Sequence, residues 1–149
     1  MATGIQLKNI QEFYTFEPRT ILDIGAQIGE FATECKDVWP NSDMFCIEGT
    51  QQCEKHLKKL QHKYIITLLS DSIKDVKFYK QKNEDTSTGN SIYRENTEHF
   101  ADGNVIIEER TTTTLNTIFG DEGGFDLIKM DTQGSEIDIM RGGTKLLDK

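Results

Sequence analysis

Short apolar runs alternate with amphipathic stretches along the first half of the chain. The runs at 20–25, 44–49 and 64–69 predict three buried strands. Apolar residues recur at helical spacing between the first two runs, which predicts a helix that ends at Pro40. A second helix, N-capped by Thr50, is expected between the second and third runs. Strands that alternate with helices through short connections form parallel sheets with right-handed crossovers.

Residues 1–17 predict a further amphipathic helix ahead of the first strand. Thr3 and Gln6 have the spacing of a capping box, and Pro18 ends the helix. The apolar residues expected on its inner face are Leu7, Ile10, Phe13 and Tyr14.

The second half of the chain has a different pattern. Residues 76–110 predict a β-rich insertion, because strand-like runs flank a polar loop at 83–90. A short helix is expected over 114–119 and a fourth core strand over 125–131. A helix over 136–147 is expected to follow that strand.

Together these elements predict a single α/β domain over residues 1–149. We expect a Rossmann-like, doubly wound, mainly parallel sheet with core strand order 3-2-1-4, carrying the β-rich insertion. The chain stops at Lys149, one helix after the fourth core strand, where such a sheet ordinarily continues. We therefore expect this chain to be C-terminally incomplete and the natural chain to extend past Lys149.

Charge and composition exclude several classes of partner. The 17 Lys+Arg against 25 Asp+Glu give a net charge of −8, which repels phosphate backbones and anionic lipids. No apolar run is long enough to span a bilayer, and the start of the chain lacks the pattern of a signal peptide. The three cysteines show no C-x-x-C spacing. We therefore expect a cytoplasmic protein without nucleic-acid or membrane partners.

A carboxylate lies at or just beyond the end of each predicted core strand. Asp23, Glu48 and Asp131 belong to the first, second and fourth strands, and Ser70 with Asp71 follows the third. Ligands of open parallel sheets bind beyond the carboxyl ends of the strands. We therefore expect these side chains to line one crevice.

The sign of these charges discriminates between cofactors. The G-x-G-x-x-G spacing of a dinucleotide site is absent, and so is the G-x-x-x-x-G-K-[ST] of a phosphate-binding loop. Carboxylates favour a cationic ligand with ribose hydroxyls, such as S-adenosylmethionine. We expect Glu48 to bind the ribose diol and Asp71 the adenine amino group. The N–H groups of the loop after the first strand are expected to meet the carboxylate of the ligand.

Three segments resemble known methyltransferases. Residues 21–29 (ILDIGAQIG) resemble the first motif of class I methyltransferases. Residues 129–136 (KMDTQGSE), followed by MRGG at 140–143, are similar to the distinctive block of FkbM-type methyltransferases. The stretch at 110–119 also resembles that family, so that the resemblance covers roughly residues 18–147.

The resemblance implies an S-adenosylmethionine-dependent O-methyltransferase that acts on a hydroxyl of a small molecule or glycan. The residues that it implies for the methionine end of the cofactor are Asp23, Gly25, Ala26 and Gly29. It further implies that Glu48 holds the ribose, that Ser70 and Asp71 lie near the adenine, and that Asp131 lies near the transferred methyl group.

Methyl transfer to an alcohol benefits from a base that removes the hydroxyl proton. Asp131 is the first candidate for this base and Glu136 the second. Lys129 is expected to pair with an acid, because it faces away from Met130 on a regular strand. No His, Asp and Glu residues have metal-ligand spacing, so no metal is expected.

Two alternatives remain open. The chain could be a non-catalytic cofactor-binding or interaction module with the same fold. A nicotinamide-cofactor oxidoreductase that uses Glu48 for the ribose is the other alternative, and the missing G-x-G-x-x-G argues against it.

Overall fold

A computed structural model of the chain describes residues 4–121 and 123–148. Its strands are β1 (Thr20–Ile24), β2 (Asp43–Glu48), β3 (Lys63–Ile66), β4 (Leu68–Leu69), β5 (Asp75–Gln81), β6 (Val105–Thr113) and β7 (Leu127–Met130). Its α-helices are α1 (Gly4–Tyr14), α2 (Glu30–Val38), α3 (Glu54–Leu57), α4 (Leu115–Phe119), α5 (Glu136–Arg141) and α6 (Thr144–Leu147).

The central sheet has the strand order β3-β2-β1-β7, and every pair in it is parallel. This order confirms the predicted core order 3-2-1-4 and the α/β fold class. At the carboxyl end of the sheet, Ile24 of β1 is in register with Ile47 of β2 and Met130 of β7. The ends of these three strands therefore lie side by side.

Successive residues of β1 point into different cores, as the two-residue period of a strand requires. Ile21 joins the core formed with α1, α2 and α3, whereas Leu22 and Ile24 join the core formed with α4, α5 and α6. In α2 the residues buried at helical spacing are Phe31, Ala32, Cys35 and Val38. The sheet is thus covered on both faces, and its crevice opens at the strand ends.

The predicted third strand at 64–69 divides between two sheets, which corrects the sequence-based expectation. Only β3 joins the central sheet. Leu68–Leu69 instead runs parallel to β6 in a second sheet of order β4-β6-β5, in which β5 and β6 are antiparallel. Both leucines are buried in either arrangement, so the apolar run does not reveal where the chain changes partner.

Two predicted helices differ from the observed ones. The segment from Gln51 to Leu60 is a short α-helix between two 3-10 turns, and the Thr50 side chain accepts no capping hydrogen bond from its N–H groups. The helix expected over 136–147 is broken into α5 and α6 at Gly142 and Gly143.

The N-terminal helix ends at Tyr14, and its expected inner face is only partly buried. Leu7 is buried, whereas Phe13 and Tyr14 are 80% and 78% exposed. Thr3 of the expected capping box lies outside the described residues. Within 4–121 and 123–148, no helix is both long and apolar enough to cross a membrane.

Candidate active site at the strand ends

A crevice of about 680 Å³, part of it open to solvent, lies at the carboxyl ends of β1, β2 and β7. Its walls carry Gly25, which follows β1, Glu48 at the end of β2, and Asp131, which follows β7. The structure therefore brings three of the predicted site residues together.

Gly25 is at the narrowest approach between β1 and β7. Its φ is +75°, and a Cβ built on it would lie 1.9 Å from the carbonyl oxygen of Asp131. Only glycine fits this position without moving the neighbouring backbone. Gly25 therefore fixes how closely the candidate base approaches the loop after β1.

The N–H groups of that loop are used within the protein. Gly25 and Ala26 both donate to the carbonyl of Ile47, at 2.9 and 3.1 Å, and the N–H of Gln27 donates to Glu48. Gly29 N donates to the carbonyl of Ala26. These four N–H groups are therefore occupied within the protein, three of them by acceptors on β2, and the contact of this loop with a ligand carboxylate stays a prediction.

Glu48 is buried and joins two loops at the crevice. Its Oε2 accepts from the N–H of Gln27 at 2.8 Å, and its Oε1 accepts from the N–H of Thr50 at 2.7 Å. Each carboxylate oxygen has a second lone pair, so that Glu48 retains acceptor capacity towards the crevice. The carboxylate is therefore both a structural clamp and a ready acceptor for a diol.

Asp23 lies behind the crevice, outside its lining, although it precedes Gly25 by only two residues. It is fully buried, and Nζ of Lys129 lies 3.1 Å from its Oδ1. Apart from this ion pair, neither carboxylate oxygen of Asp23 has a hydrogen-bond partner among the described residues. Burial raises the pKa of Asp23, and Lys129 opposes that rise without cancelling it. The predicted pairing of Lys129 with an acid is thus present.

Asp131 lines the crevice and is half-buried. Its Oδ1 accepts a hydrogen bond from Nε2 of Gln133 at 3.1 Å. Gln133 itself has a left-handed backbone, with φ of 56°, and lines the crevice beside Asp131. The arrangement leaves acceptor capacity on Asp131 for a proton from a bound hydroxyl.

Glu136 holds the loop that follows β7. Its Oε1 accepts from the N–H of Thr132 at 2.8 Å, and its Oε2 accepts from the N–H of Gly134 at 3.0 Å. Partial burial acts to raise the pKa of Glu136, but backbone N–H groups outweigh it and lower the pKa. Hydrogen bonds of this kind weaken the Glu136 carboxylate as a base, and its catalytic role stays a prediction.

The remaining predicted cofactor residues lie outside the lining of the crevice. Ser70 is fully buried, and Asp71 accepts a hydrogen bond from Lys74 at 2.7 Å on the surface, which lowers its pKa to about 2. Ala26 packs in the core on the α2 side, and Gly29 precedes α2. The expectation of one row of strand-end acids therefore holds for Glu48 and Asp131 but not for Asp23 and Asp71.

A covering segment, residues 86–93, lies across the mouth of the crevice. Thr86 accepts from Gln27 in the loop after β1, Asn90 donates to Thr50 after β2, and Ser91 Oγ donates to the Gln133 carbonyl after β7. The crevice-lining residues of this segment are Ser87, Thr88, Asn90, Ser91 and Ile92. Sequence reasoning assigned this region to a polar loop and gave no signal for where the loop folds back.

No group of three or more His, Cys, Asp or Glu residues is arranged to hold a metal ion within the described part of the chain.

The family model of the FkbM methyltransferase domain matches residues 23–149. The chain belongs to the FkbM methyltransferase family. The matched region of this FkbM domain contains the second sheet and every candidate site residue.

One solved structure resembles part of this FkbM domain: "Structure of the plantazolicin methyltransferase BpumL in complex with SAH". The two chains are 24% identical with a TM-score of 0.33, and the match covers 40% of this chain and 23% of that chain. This chain therefore matches less than a quarter of that protein's length. No curated protein is significantly similar in sequence.

Proposed function

We propose that this FkbM domain binds S-adenosylmethionine in the crevice and transfers its methyl group to a hydroxyl of a small molecule or glycan. The observation that carries the proposal is the pair of carboxylates, Glu48 and Asp131, on one crevice at adjacent strand ends. Membership of the FkbM methyltransferase family supports it.

The residues of the crevice suit this cofactor in charge and shape. Glu48 has free lone pairs for the two ribose hydroxyls, and hydrogen bonds to a carboxylate are about twice as strong as those between neutral groups. Glu48 and Asp131 together favour a sulfonium over an anionic ligand. Gly25 leaves the wall between them free of a side chain. When bound, the cofactor supplies an electrophilic methyl group on a positively charged sulfur.

Asp131 is proposed as the base. Gln133 holds its Oδ1, which orients the carboxylate without occupying Oδ2. Removal of the hydroxyl proton by a positioned carboxylate contributes roughly 10²–10⁴ to the rate. The covering segment bonds to all three loops of the crevice, and we propose that it limits the access of water to the reacting groups.

The acceptor is proposed to enter through an outer cavity next to the crevice. This cavity, about 640 Å³ including open solvent, shares Ser87, Thr88 and Gln133 with the crevice. Its outer wall carries Glu84 and His99, which can hydrogen-bond hydroxyl groups. A polyhydroxylated acceptor therefore suits it better than an apolar one.

Transfer of tritium from labelled S-adenosylmethionine to a panel of monosaccharides, polyols and phenols tests the reaction. For an accepted compound, Asp131→Asn should lower kcat by roughly 10²–10⁴. Glu109→Gln, an exposed acid of β6, serves as the control and should behave as wild type. Cofactor binding without transfer to any compound would favour the non-catalytic module. An unchanged kcat in Asp131→Asn would exclude Asp131 as the base.

A further inference from the structure

We infer that Lys129 is a positioning residue that fixes the cofactor loop after β1 through the buried carboxylate of Asp23 and the carbonyl of Gly25. This inference deepens the proposed function and rests on it for the identity of the ligand. It gives Asp23 a role behind the crevice in place of a direct contact with the ligand.

Lys129 reaches three groups around the start of the loop. Its Nζ lies 3.1 Å from Oδ1 of Asp23 and donates to the carbonyl oxygen of Gly25 at 2.9 Å. It also lies 5.7 Å from the centre of the Phe31 ring in α2. One ammonium thus joins β7, the last residues of β1 and the helix that follows the loop.

The loop needs such an anchor because its backbone is in a sparsely populated conformation. Gly25, Gln27 and Gly29 all have left-handed φ angles, of 75°, 50° and 87°. A non-glycine residue such as Gln27 is strained in this region. Strained backbone persists only where the surrounding contacts determine it.

The contacts of the loop come from two opposite sides. Its N–H groups at Gly25 and Ala26 donate to the Ile47 carbonyl on β2, while its carbonyl at Gly25 accepts from Lys129 on β7. Removing Lys129 takes away the hydrogen bond from β7 and leaves the bonds to β2 and the bond from Gln27 to Thr86. The loop should then lose its fixed position between Glu48 and Asp131.

The charges around Asp23 explain why an acid is placed where no ligand reaches it. Lys129 is the cation that compensates its buried charge, and Glu48 and Asp131 are the nearby acids. Asp23 in turn keeps the Lys129 ammonium at the Gly25 carbonyl, since a buried ammonium needs a counter-charge. The negative charge that faces the ligand therefore comes from Glu48 and Asp131.

The test separates positioning from simple stabilisation. Lys129→Met alone leaves Asp23 buried and unpaired, which lowers stability whatever its role. The double variant Asp23→Leu/Lys129→Met removes both charges and replaces them by apolar side chains, so its unfolding midpoint should lie within about 5 °C of wild type. It still lacks the hydrogen bond to Gly25.

Amide hydrogen exchange of Ala26 and Gln27 in the unliganded protein is the first readout. In the double variant, exchange should accelerate about ten- to a hundredfold, the factor that corresponds to a hydrogen bond from a charged donor. Calorimetric affinity for S-adenosylhomocysteine should fall by a similar factor. Lys77→Met, which removes an exposed lysine of β5, is the matched control and should retain loop protection.

Wild-type exchange and affinity in a stable double variant would overturn the inference. If the double variant does not fold, Asp23→Asn decides: it removes the counter-charge that keeps Lys129 at the Gly25 carbonyl, so exchange of Ala26 and Gln27 should accelerate, and wild-type exchange in this variant would overturn the inference. A wild-type protein that fails to bind S-adenosylhomocysteine would refute the proposed function instead. The exchange measurement on the unliganded protein would still test the anchor.

Discussion

Replacing Gly25 by alanine forces a methyl group against the backbone of Asp131. The added Cβ would lie 1.9 Å from the carbonyl oxygen and 2.8 Å from the carbonyl carbon of that residue. Both atoms are backbone, so no side-chain rotation relieves the contact. Real Cβ atoms keep at least 3.0 Å from such neighbours, and one strand end must therefore retreat by about 1.1 Å.

Two effects lower the free energy of unfolding of Gly25→Ala, and they add. An alanine held at a φ of +75° loses about 1–2 kcal/mol relative to glycine. Displacing packed neighbours costs about 1–3 kcal/mol more. We therefore expect the free energy of unfolding to fall by about 2–5 kcal/mol, a large part of the 5–15 kcal/mol that is usual for a domain.

In Gly25→Ala, kcat should fall even under conditions in which the loss of stability leaves the variant folded. A displacement of about 1 Å at a reacting group can lower the rate by about 10²-fold. Because the displaced backbone belongs to Asp131, kcat of Gly25→Ala should fall by about that factor under conditions in which the variant is folded.

Gly103→Ala is the matched control for the steric part. Gly103 has a φ of +90°, and a Cβ at this position would have no neighbour within 4 Å. Urea unfolding should therefore show a loss of only about 1–2 kcal/mol in the control. If Gly25→Ala loses no more than Gly103→Ala, the close approach of the loop to Asp131 is refuted.

Two further predictions concern ionisable groups. Asp71 should titrate at about pH 2 by NMR, and Lys74→Met should move its pKa towards 3.8, because the Lys74 hydrogen bond holds the pKa down. The Asp71–Lys74 pair stabilises the folded protein above pH 3.8, and this stabilisation is lost as the pH falls through about 2. A pKa of 3.8 for Asp71 in the wild-type protein would contradict the prediction. Burial raises the pKa of all three cysteines to about 12. We therefore expect the thiol reagent dithiobis(nitrobenzoate) to leave them unmodified at pH 8 until urea unfolds the protein. Rapid labelling of the folded protein would be evidence against their burial.

The parallel core of the fold could be predicted because its strands are short apolar runs with clear ends. β1, β2 and β7 each occupy such a run, and the helices between them carry apolar residues at helical spacing. The second sheet was harder to predict. Leu68–Leu69 continues the apolar run of β3, and only the pairing with Thr112 and Thr113 shows that it belongs to another sheet.

The residues of the candidate site that lie at strand ends could be predicted from the sequence. Glu48 and Asp131 follow from the rule that ligands bind beyond the carboxyl ends of parallel strands. Asp23 shows the limit of that rule, because its position on the Ile21 face of β1 turns its side chain into the core towards Lys129. The role of an acid near a strand end therefore depends on the face of the sheet to which its side chain points, as well as on its distance from the strand end.

The covering segment could not be predicted from the chain. Its contacts with Gln27, Thr50 and Gln133 join residues far apart in sequence through polar side chains and backbone carbonyls. Such contacts have no periodic signature. They depend on the path of the insertion after the core has formed.

The central claim is that the Glu48 carboxylate holds the ribose of S-adenosylmethionine in this crevice. Titration calorimetry with S-adenosylhomocysteine on wild type, Glu48→Gln and the exposed control Glu12→Gln tests it most directly. We predict that Glu48→Gln weakens binding about ten- to a hundredfold, because hydrogen bonds to a charged acceptor are lost, while Glu12→Gln binds as wild type. Wild-type affinity in Glu48→Gln would contradict the claim.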